Sequence, residues 1–353
     1  MSSSPQQTPD DDVGDHPYAP LSSLLKASSD TLRLEILRVL DKKSFGVQEL
    51  CKIFAVRQPA MSHHLKLLAQ NGLIANRREG NSIFYHRSHQ APSAQSQALW
   101  QSLLATVDAL PLRADLAARI AMLHLDRAAS SQQFFEHNAD RFRAQQEQIT
   151  DYRHYSAPVK QFIDTAQLPA RQLAYEIGPG EGAFLGELSA DFKRVTACDI
   201  SPSMLALARD YAQQQGLDNI DFILADSQQL VIQQPQADCV VANMVLHHVP
   251  SPADMVQDIA AMLRPGGSFF LAELCRHDQS WAKDACGDIW LGFDPDDLTH
   301  WARDAGLQQG RHLYLAQRNG FSVQIREFNK SANARDREVS RALSSPPEQP
   351  IIN

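Results

Sequence analysis

Apolar residues recur every three or four positions in the first part of the chain, and the spacing changes to alternation at about residue 73. The helical spacing predicts three helices, the first of which has Ser29 or Asp30 as a candidate N-cap. The alternation on both sides of Gly80 predicts a β-hairpin with a glycine in its turn. These predicted elements cover residues 21–40, 46–54, 58–71, 73–77 and 83–87.

The second half of the chain alternates short apolar runs with helical segments. Leu173 and Ile177 frame the first run, and Gly178, Gly180 and Gly182 follow it. Runs of this length between helices predict the strands of a mostly parallel sheet. The further predicted strands cover residues 195–199, 222–226, 238–243, 268–273, 311–316 and 321–327. The predicted fold class is therefore a small α+β domain followed by an α/β, doubly wound, seven-stranded sheet.

Changes in composition mark the limits of the two domains. Both ends of the chain are rich in Ser, Pro and charged or amide residues, which predicts disordered tails. The domain boundary is expected at Ser130 and Ser131. The predicted limits are 1–18 for the first tail, 19–92 for the first domain, 93–130 for connecting helices, 131–328 for the α/β domain and 329–353 for the second tail.

A helix over residues 94–110 is predicted by its apolar stripe. The stripe consists of Leu99, Leu103, Val107 and Leu110, with Trp100 beside it. Such a stripe either joins two copies of a chain or packs against its own domain. The sequence leaves both interpretations open.

The composition of the 353-residue chain is that of a globular protein, with 43% hydrophobic and 21% charged residues. The chain contains no apolar run as long as a membrane helix, and its first residues lack the apolar core of a signal peptide. The five cysteines are odd in number and form no C-x-x-C pair, which favours reduced thiols. We therefore expect a cytoplasmic protein.

The charge is divided unevenly between the two domains. The whole chain has a formal net charge of −8. Between Leu21 and Gln95, however, 11 Lys and Arg residues stand against 5 Asp and Glu residues, so this domain carries +6 and the rest of the chain −14. A basic module on an acidic protein is what neutralisation of nucleic-acid phosphates requires. The charge therefore favours DNA binding by the first domain.

Two motifs in the first domain support this prediction. Residues 62–73 follow the pattern S-x-H-L-x-x-L-x-x-x-G-L, and residues 77–80 are R-R-E-G within the hairpin. Together with the order of three helices and a hairpin, these residues resemble the winged helix-turn-helix domain of ArsR-family bacterial repressors. The resemblance covers about residues 20–90. It implies a recognition helix, a wing, and a homodimer formed through the helix at 94–110.

The two faces of the predicted recognition helix differ in polarity. Leu65 and Leu68 point inward, whereas polar side chains occupy the other face. Amide, hydroxyl and imidazole groups can bind base edges or phosphates, and arginines of the wing can follow the DNA backbone. The candidate DNA-binding residues are Gln58, Ser62, His63, Lys66, Arg77, Arg78 and Asn81. The alternative is a solvated face, and for His64 we expect a packed, hydrogen-bonded core histidine.

ArsR-type proteins often bind metal ions through paired cysteines. The corresponding helix in this chain has the sequence E-L-C-K-I-F, which contains only Cys51. One thiolate does not satisfy the usual coordination of such a site. His86 and His89 are close in sequence, but no cysteine or carboxylate cluster joins them. We therefore expect no metal ion.

In the second domain, Asp199 ends a predicted strand about 20 residues beyond the glycines. In nucleotide-binding α/β folds, an acidic residue at this position binds the ribose hydroxyls. The glycines follow the pattern G-x-G-x-G, whereas hydride-transferring dinucleotide folds usually show G-x-G-x-x-G. Over about residues 131–325, the order and spacing of the strands resemble class I S-adenosylmethionine-dependent methyltransferases. The resemblance implies S-adenosyl-L-methionine or S-adenosyl-L-homocysteine as the bound cofactor.

The resemblance also implies roles for individual residues. Glu176 and the glycine backbone would meet the amino-acid part of the cofactor, Asp199 its ribose, Met204 its adenine ring and Asp226 the adenine amine. The implied cofactor-binding residues are Glu176, Gly178, Gly180, Gly182, Asp199, Ile200, Met204, Asp226, Ser227 and Asn243. Without a ligand, Asp199 would be a strand-end turn residue and Asp226 a helix cap.

No residue of the second domain is assigned to methyl transfer. His247 and His248 follow the fourth strand and are weak candidates for a base, but histidines at that position can equally be structural. Arsenite-methylating enzymes surround the sulfonium with several cysteines, an arrangement that this domain does not reproduce. An aromatic insertion at residues 281–293 can either close over a ligand or pack against another domain. Three aromatic residues would cover the cofactor: Tyr152, Tyr155 and Phe162.

A DNA-binding domain joined to a ligand-binding domain predicts a one-component transcription regulator. The combination resembles the S-adenosylhomocysteine-responsive ArsR-family regulators of methionine metabolism. The resemblance implies a dimeric repressor that S-adenosylhomocysteine releases from operators of homocysteine and methionine genes. The alternative is an active S-adenosylmethionine-dependent methyltransferase of unknown acceptor that carries a DNA-binding domain. Whether the protein is an enzyme stays open on the sequence.

Overall fold

The computed structural model describes residues 16–79, 82–138, 142–233 and 235–332. The chain divides into two compact units, which separate between Ala121 and Met122. The predicted tails lie mostly outside the described residues, as do Gly80 and Asn81 of the predicted wing. Among the residues described, none of the helices has the length and apolar character that a membrane crossing requires.

The first unit has the predicted winged helix-turn-helix elements. In chain order they are α1 (Ala19–Ser28), α2 (Thr31–Val39), β1 (Phe45–Gly46), α3 (Val47–Phe54), α4 (Gln58–Gln70), β2 (Ile74–Glu79), β3 (Ser82–Arg87) and α5 (Gln97–Ala109). The strands form one sheet in the order β1-β3-β2. Helix α4 has Pro59 in its first turn, and Gly72 follows the helix with a φ of 66°.

Asp30 divides the helical stretch predicted over residues 21–40 into two helices. Its side chain accepts a hydrogen bond of 2.9 Å from the backbone N–H of Arg33 and so caps the start of α2. Ile36 and Leu37 of α2 are fully buried. The N-cap is therefore Asp30, one of the two predicted candidates.

Helix α5 buries a different stripe from the predicted one. Its buried residues are Trp100, Leu104 and Val107, whereas Leu110 is 59% exposed. The indole of Trp100 has more apolar surface to bury than a leucine, which favours the face on which it lies. An ion pair of 2.6 Å between Arg87 of β3 and Asp108 holds the helix in this orientation.

Helix α6 (Ala114–Asn138) continues through the predicted boundary at Ser130 and Ser131. The hydroxyl of Ser130 donates a hydrogen bond of 2.9 Å to the carbonyl oxygen of Asp126, which accommodates a serine inside a helix. Ser131 is buried. The two serines therefore do not mark a break in the secondary structure.

The second unit contains the predicted seven-stranded sheet. Its elements after α6 are α7 (Phe142–Ile149), α8 (Tyr152–Asp164), β4 (Leu173–Ile177), α9 (Leu185–Asp191), β5 (Arg194–Asp199), α10 (Pro202–Gln215), β6 (Ile220–Leu224), α11 (Ser227–Gln233), β7 (Ala237–Asn243), α12 (Pro252–Met262), β8 (Leu263–Leu274), α13 (Trp281–Cys286), α14 (Pro295–Asp304), β9 (Leu307–Ala316) and β10 (Ser322–Lys330). The strand order is β6-β5-β4-β7-β8-β10-β9. Strands β4 to β8 are parallel, and β10 is antiparallel to both of its neighbours. The sheet is Rossmann-like, as predicted.

Helices cover both sides of the central strands. Helix α8 contacts β8 and β10, α12 contacts β7 and β8, and α9 and α10 contact β5. All five residues of β4 and all seven of β7 are buried. Parallel strands that are covered on both faces need continuous apolar runs, which explains the runs seen in the sequence. A charged side chain in such a strand is therefore exceptional.

The turn after β4 requires its glycines. Gly178 has a φ of 65°, and its N–H donates a hydrogen bond of 2.8 Å to the carbonyl oxygen of Cys198 in β5. A Cβ atom at Gly178 would lie 2.4 Å from Cγ2 of Val245. Gly182, at a φ of 85°, lies against the backbone of Ala208 in α10, so it serves helix packing.

Replacing Gly178 by Ala is expected to lower the free energy of unfolding by about 2 kcal/mol or more, because it adds backbone strain and a steric clash. Urea denaturation followed by circular dichroism measures the change. Gly186 in α9 is the matched control, since nothing lies within 4 Å of its added Cβ. G186A should be neutral or stabilising by up to about 1 kcal/mol. Equal stability of the two variants would contradict the structural role of Gly178.

Candidate functional site

The strand order of the second unit creates a crevice between β4 and β7. The chain runs outward from β4 through β5 to β6 and then returns to the other side of β4 as β7. In doubly wound sheets, ligands bind at the carboxyl ends of the strands at this point of reversal. The register pairs Ile177 with Ala242, so the residues after both strands emerge side by side.

Two buried side chains at this crevice have polar atoms without hydrogen-bond partners. Glu176 is 2% exposed and Asn243 is 8% exposed. Within the described part of the chain, neither Oε2 of Glu176 nor either polar atom of the Asn243 amide has a hydrogen-bond partner. Each such atom costs roughly 1–3 kcal/mol while it stays unsatisfied. A ligand with donor and acceptor groups would remove this cost.

Burial raises the pKa of Glu176 to about 8. The amide of Asn243 lies close enough to oppose this shift, although it makes no hydrogen bond of normal geometry to the carboxylate. A positively charged ligand group in the crevice would favour the ionised carboxylate. The protonation state of Glu176 is therefore sensitive to what binds there.

Asp199 ends β5, next to the glycine turn. Its Oδ1 accepts a hydrogen bond of 2.8 Å from the backbone N–H of Ser201, and burial raises the pKa of its carboxyl to about 6. The next residue, Ile200, is partly exposed. Met204 is only 2% exposed inside α10, so it presents little surface to an adenine ring in this conformation. The structure thus brings Asp199 and Ile200 to the crevice more clearly than Met204.

Asp226 and Ser227 are occupied by local hydrogen bonds. Asp226 is exposed, and its carboxylate accepts a hydrogen bond of 2.7 Å from the N–H of Gln229 at the start of α11. The hydroxyl of Ser227 donates a hydrogen bond of 2.6 Å to Asp258. These contacts agree with the helix-cap alternative for Asp226. A role of either residue in ligand binding stays a prediction.

The three aromatic residues expected to cover a cofactor have different surroundings. The hydroxyl of Tyr152 donates a hydrogen bond of 3.1 Å to the carbonyl oxygen of Ala183 in the glycine turn. Tyr155 is buried in the core. The ring of Phe162 lies under the guanidinium of Arg311, 4.7 Å from its centroid. Only Tyr152 therefore contacts the predicted ligand turn.

His247 is held by carboxylates on both sides. Its Nδ1 lies 2.5 Å from Oε1 of Glu273, and its Nε2 lies 3.8 Å from Oδ1 of Asp288. Burial by itself would lower the pKa of His247, but the two negative charges outweigh burial and raise it to about 9. An imidazole that is already protonated cannot accept a proton. His247 is therefore a poor general base at neutral pH.

His248 differs from its neighbour. Burial, and then the charge of His247, lower the pKa of His248 well below its ordinary value, so the ring is neutral. Its Nδ1 lies 3.2 Å from the carbonyl oxygen of Gly287. Sequence reasoning missed Glu273 and Asp288, the partners of these two histidines. Glu273 could have been found from the sequence, because it is an acidic residue at the end of the fifth predicted strand and the ends of parallel strands meet at one edge of the sheet.

The aromatic insertion packs on the turn that carries the histidines. The N–H groups of Ile289 and Trp290 both donate to the carbonyl oxygen of His247, at 3.0 and 3.1 Å. The indole N–H of Trp290 donates a hydrogen bond of 2.8 Å to the carbonyl oxygen of Val249. Trp290, Leu291 and Phe293 are buried. The insertion is therefore part of the second unit's own core.

On the first unit, α4 exposes the predicted polar face. Met61, Leu65 and Leu68 are buried, whereas the polar candidates on the helix are exposed: Gln58, Ser62, His63 and Lys66. Gln58 accepts a hydrogen bond of 2.8 Å from the amide of Gln48. His64 is mostly buried, but its Nδ1 lies 3.7 Å from Asp30, which is too long for the predicted hydrogen bond.

One DNA-binding candidate of the wing, Arg77, does not fit the structure. Alternation along β2 places Arg78 on the exposed face and Arg77, which is 3% exposed, on the buried face. A buried guanidinium does not reach a phosphate, so the predicted DNA contact of Arg77 does not fit this conformation. Arg78 remains a candidate. Asn81, also predicted to contact DNA, lies outside the described residues.

Two family models match the chain. Residues 30–76 match the model described as "Bacterial regulatory protein, arsR family", and residues 175–271 match the model described as "Methyltransferase domain". The first match covers α2 to β2, including the whole of α4, and the second covers most of the parallel sheet. The chain therefore joins an ArsR-type helix-turn-helix segment to a class I methyltransferase-type domain.

Similar proteins come from several bacteria. The chain is 26% identical over 201 residues to the "Ubiquinone biosynthesis O-methyltransferase" of Xanthomonas euvesicatoria pv. vesicatoria, covering 51% of this chain and 84% of that protein. A protein of the same name from Coxiella burnetii is 28% identical over 146 residues, covering 38% of this chain and 62% of that protein. A solved structure, magnesium protoporphyrin IX methyltransferase from Synechocystis PCC 6803 with bound SAH, is 19% identical with a TM-score of 0.47 and covers 58% of this chain and 100% of that chain.

Replacing Glu176 by Gln is expected to stabilise the ligand-free protein at alkaline pH. The folded-state pKa is about 8 and the ordinary value is 4.5, so the carboxyl lowers stability increasingly as the pH rises from 4.5 to 8. E176Q should therefore raise the free energy of unfolding by roughly 2–4 kcal/mol at about pH 9, and by less than about 1 kcal/mol at about pH 5. Urea denaturation at the two pH values measures both changes.

The control is Glu187→Gln, which removes an exposed carboxylate from the same domain. E187Q should change stability little at either pH. If E176Q and E187Q shifted stability alike, the effect would come from net charge, and Glu176 would not carry an unfavourable buried charge.

Proposed function

We propose that this protein is a one-component transcription regulator whose methyltransferase-type domain binds S-adenosyl-L-homocysteine or S-adenosyl-L-methionine and thereby controls DNA binding. The observation that carries the proposal is the presence, in one chain, of an exposed polar face on α4 and of unpartnered buried polar atoms between β4 and β7. An enzyme has no need of the first feature, and a simple repressor has no need of the second.

The crevice has groups that suit an S-adenosyl ligand. Glu176 and Asn243 offer acceptor and donor atoms for the ammonium and carboxylate of the ligand's amino-acid part. The positive-φ turn at Gly178 and Gly180 keeps the backbone free of side chains where a ligand would approach. Asp199 supplies a carboxylate for the ribose hydroxyls. S-adenosylmethionine brings an electrophilic methyl group to such a site, and S-adenosylhomocysteine does not.

The proposed regulator is a dimeric repressor that acts in the cytoplasm. Residues 94–110 would form the dimer contact, because α5 leaves Leu99 and Leu103 partly exposed and Leu110 exposed. Two copies of α4 would bind the two halves of an operator, and the ligand would change the dimer's affinity for it. The regulated genes would be those of methionine and methyl-cycle metabolism, where the concentration of S-adenosylhomocysteine is the relevant signal.

The second candidate function is methyl transfer to an unknown acceptor. It is favoured by the relatives named ubiquinone biosynthesis O-methyltransferases. The charge on His247 speaks against that residue as the base. Incubation with S-adenosylmethionine and cell extract, followed by quantification of S-adenosylhomocysteine, separates the two functions. Sustained turnover would favour the enzyme, and tight binding without turnover the regulator.

Asp199→Ala should remove the ligand response while DNA binding persists. The measurement is fluorescence anisotropy of the protein on its own upstream DNA at fixed salt, with S-adenosylhomocysteine and S-adenosylmethionine added separately. We expect the half-effective ligand concentration to rise about tenfold or more, because the ribose hydroxyls lose a charged acceptor. Asp210→Ala, which removes an exposed carboxylate from α10, is the control. An unchanged response of D199A would rule out the proposed ribose site.

Lys66→Gln should weaken binding to all DNA sequences and reduce the slope of log K against log salt by about 1, since one phosphate contact is lost. Ser62→Ala or His63→Ala should instead cost about 1–3 kcal/mol on the operator and relax the sequence preference. Lys193→Gln, an exposed lysine of the second unit, is the matched charge control. An identical loss in K193Q would show that net charge, and not α4, determines DNA affinity.

A further inference from the structure

Three buried metal-ligating side chains meet beside the carboxyl end of β7. His247 and His248 belong to the 3₁₀ turn Leu246–His248, and Asp288 follows α13. One ligand atom of each lies within 4.8 Å of the other two. The group is separate in sequence from Glu176 and Asp199, although only three residues lie between Asn243 and His247.

Asp288 is the most unusual member of the group. Its side chain is fully buried, and among the described residues neither of its oxygens has a hydrogen-bond partner. Its Oδ1 lies 3.8 Å from Nε2 of His247 and 3.9 Å from Nδ1 of His248. These distances are too long for hydrogen bonds, yet the carboxylate faces both rings. Burial disfavours such a carboxylate, and the protonated ring of His247 at 3.8 Å offsets this only in part, because no hydrogen bond joins the two groups.

Glu273 orients the first histidine. Its Oε1 lies 2.5 Å from Nδ1 of His247, and its Oε2 accepts a hydrogen bond from the backbone N–H of the same residue. The ring is thereby fixed with Nε2 toward Asp288. A carboxylate that binds the far nitrogen of a histidine in this way is the usual outer partner of a metal-binding imidazole.

The two distances from Asp288 fit a transition-metal ion after a small contraction, and the two histidine nitrogens lie within 4.8 Å of each other. Bonds of about 2.0–2.1 Å in a tetrahedral Zn²⁺ site place ligand atoms about 3.4 Å apart. The present 3.8 and 3.9 Å would close by about half an ångström. The ion would displace the proton that His247 carries on Nε2, and the proton of His248 would move from Nδ1 to Nε2, so that Nδ1 exchanges its contact with the carbonyl oxygen of Gly287 for the ion. Two imidazoles and one carboxylate leave a fourth position open, as in Zn²⁺ sites that also bind water or a ligand.

We propose that His247, His248 and Asp288 bind one divalent transition-metal ion, for which Zn²⁺ is the first choice, with Glu273 as a positioning residue. The ion would tie the segment after α13 to the turn that follows β7, beside the proposed ligand crevice. This site goes beyond the proposed function, and it does not require S-adenosyl binding. The expectation of no metal ion came from the lone Cys51 and from His86 and His89 of the first domain, and it did not consider these residues.

The test uses the full chain without an affinity tag, stripped of metal with a chelator. Zn²⁺ is added in competition with a chromogenic chelator, and thermal unfolding is followed in parallel. We expect one ion per chain and a higher Tm with Zn²⁺. Asp288→Asn should weaken Zn²⁺ binding at least about tenfold and abolish the Tm shift, and Glu273→Gln should weaken binding about 10–100-fold. Asp284→Asn, an exposed carboxylate in α13, is the matched control and should behave as the wild type.

Equal Zn²⁺ affinity of the wild type and D288N, or no bound ion in the wild type, would overturn the proposal. If D288N fails to fold, comparison of the Co²⁺ spectra of the wild type and of E273Q still tests the site. Visible ligand-field bands without a thiolate charge-transfer band are expected from two imidazoles and a carboxylate. A thiolate band would place the ion at a cysteine and contradict the site proposed for these residues.

Discussion

A carboxylate in the central strand of a sheet covered on both faces is the feature on which the candidate ligand site depends. β4 and β7 are buried throughout, so a polar side chain on either strand is removed from bulk solvent. Glu176 is tolerated only because the strand order opens a crevice at the end of β4. The glycine turn keeps that crevice clear, and Asn243 faces it from the neighbouring strand.

The same edge of the sheet carries a second cluster of charge. The turn after β7 holds two histidines of opposite character, one raised in pKa by two carboxylates and one lowered by burial. Hydrogen bonds from the backbone and indole N–H groups of Trp290 hold the aromatic segment against that turn. The carboxyl edge thus gathers the polar groups of the domain, while the apolar runs between them fill the core. The basic first domain is chemically distinct from this acidic one.

Periodicity and turn residues predicted the elements well, because short-range spacing determines which face of a helix or strand is buried. The seven strands, the cap at Asp30 and the exposed side of α4 follow from local pattern. Errors arose where tertiary contacts decide between two similar faces. In α5 the face that carries Trp100 is buried in place of the face that carries Leu99. In β2 the alternation of side chains places Arg77 on the buried face. Asp288 was missed because its neighbours come from segments about 40 residues earlier in the chain, a proximity that no local pattern contains.

The unsatisfied Oε2 atom of Glu176 also affects how long the ligand-free and ligand-bound forms of the protein persist in a cell. A ligand that binds only the folded chain stabilises it by RT ln(1 + [L]/Kd), which is about 2.7 kcal/mol at a hundredfold excess over Kd. The ligand-free chain is the more easily opened form, and opened chains are substrates for intracellular proteases. With an S-adenosyl ligand in the crevice, scarcity of that nucleoside would shorten the protein's half-life, so its abundance would follow the metabolite independently of any change in DNA affinity.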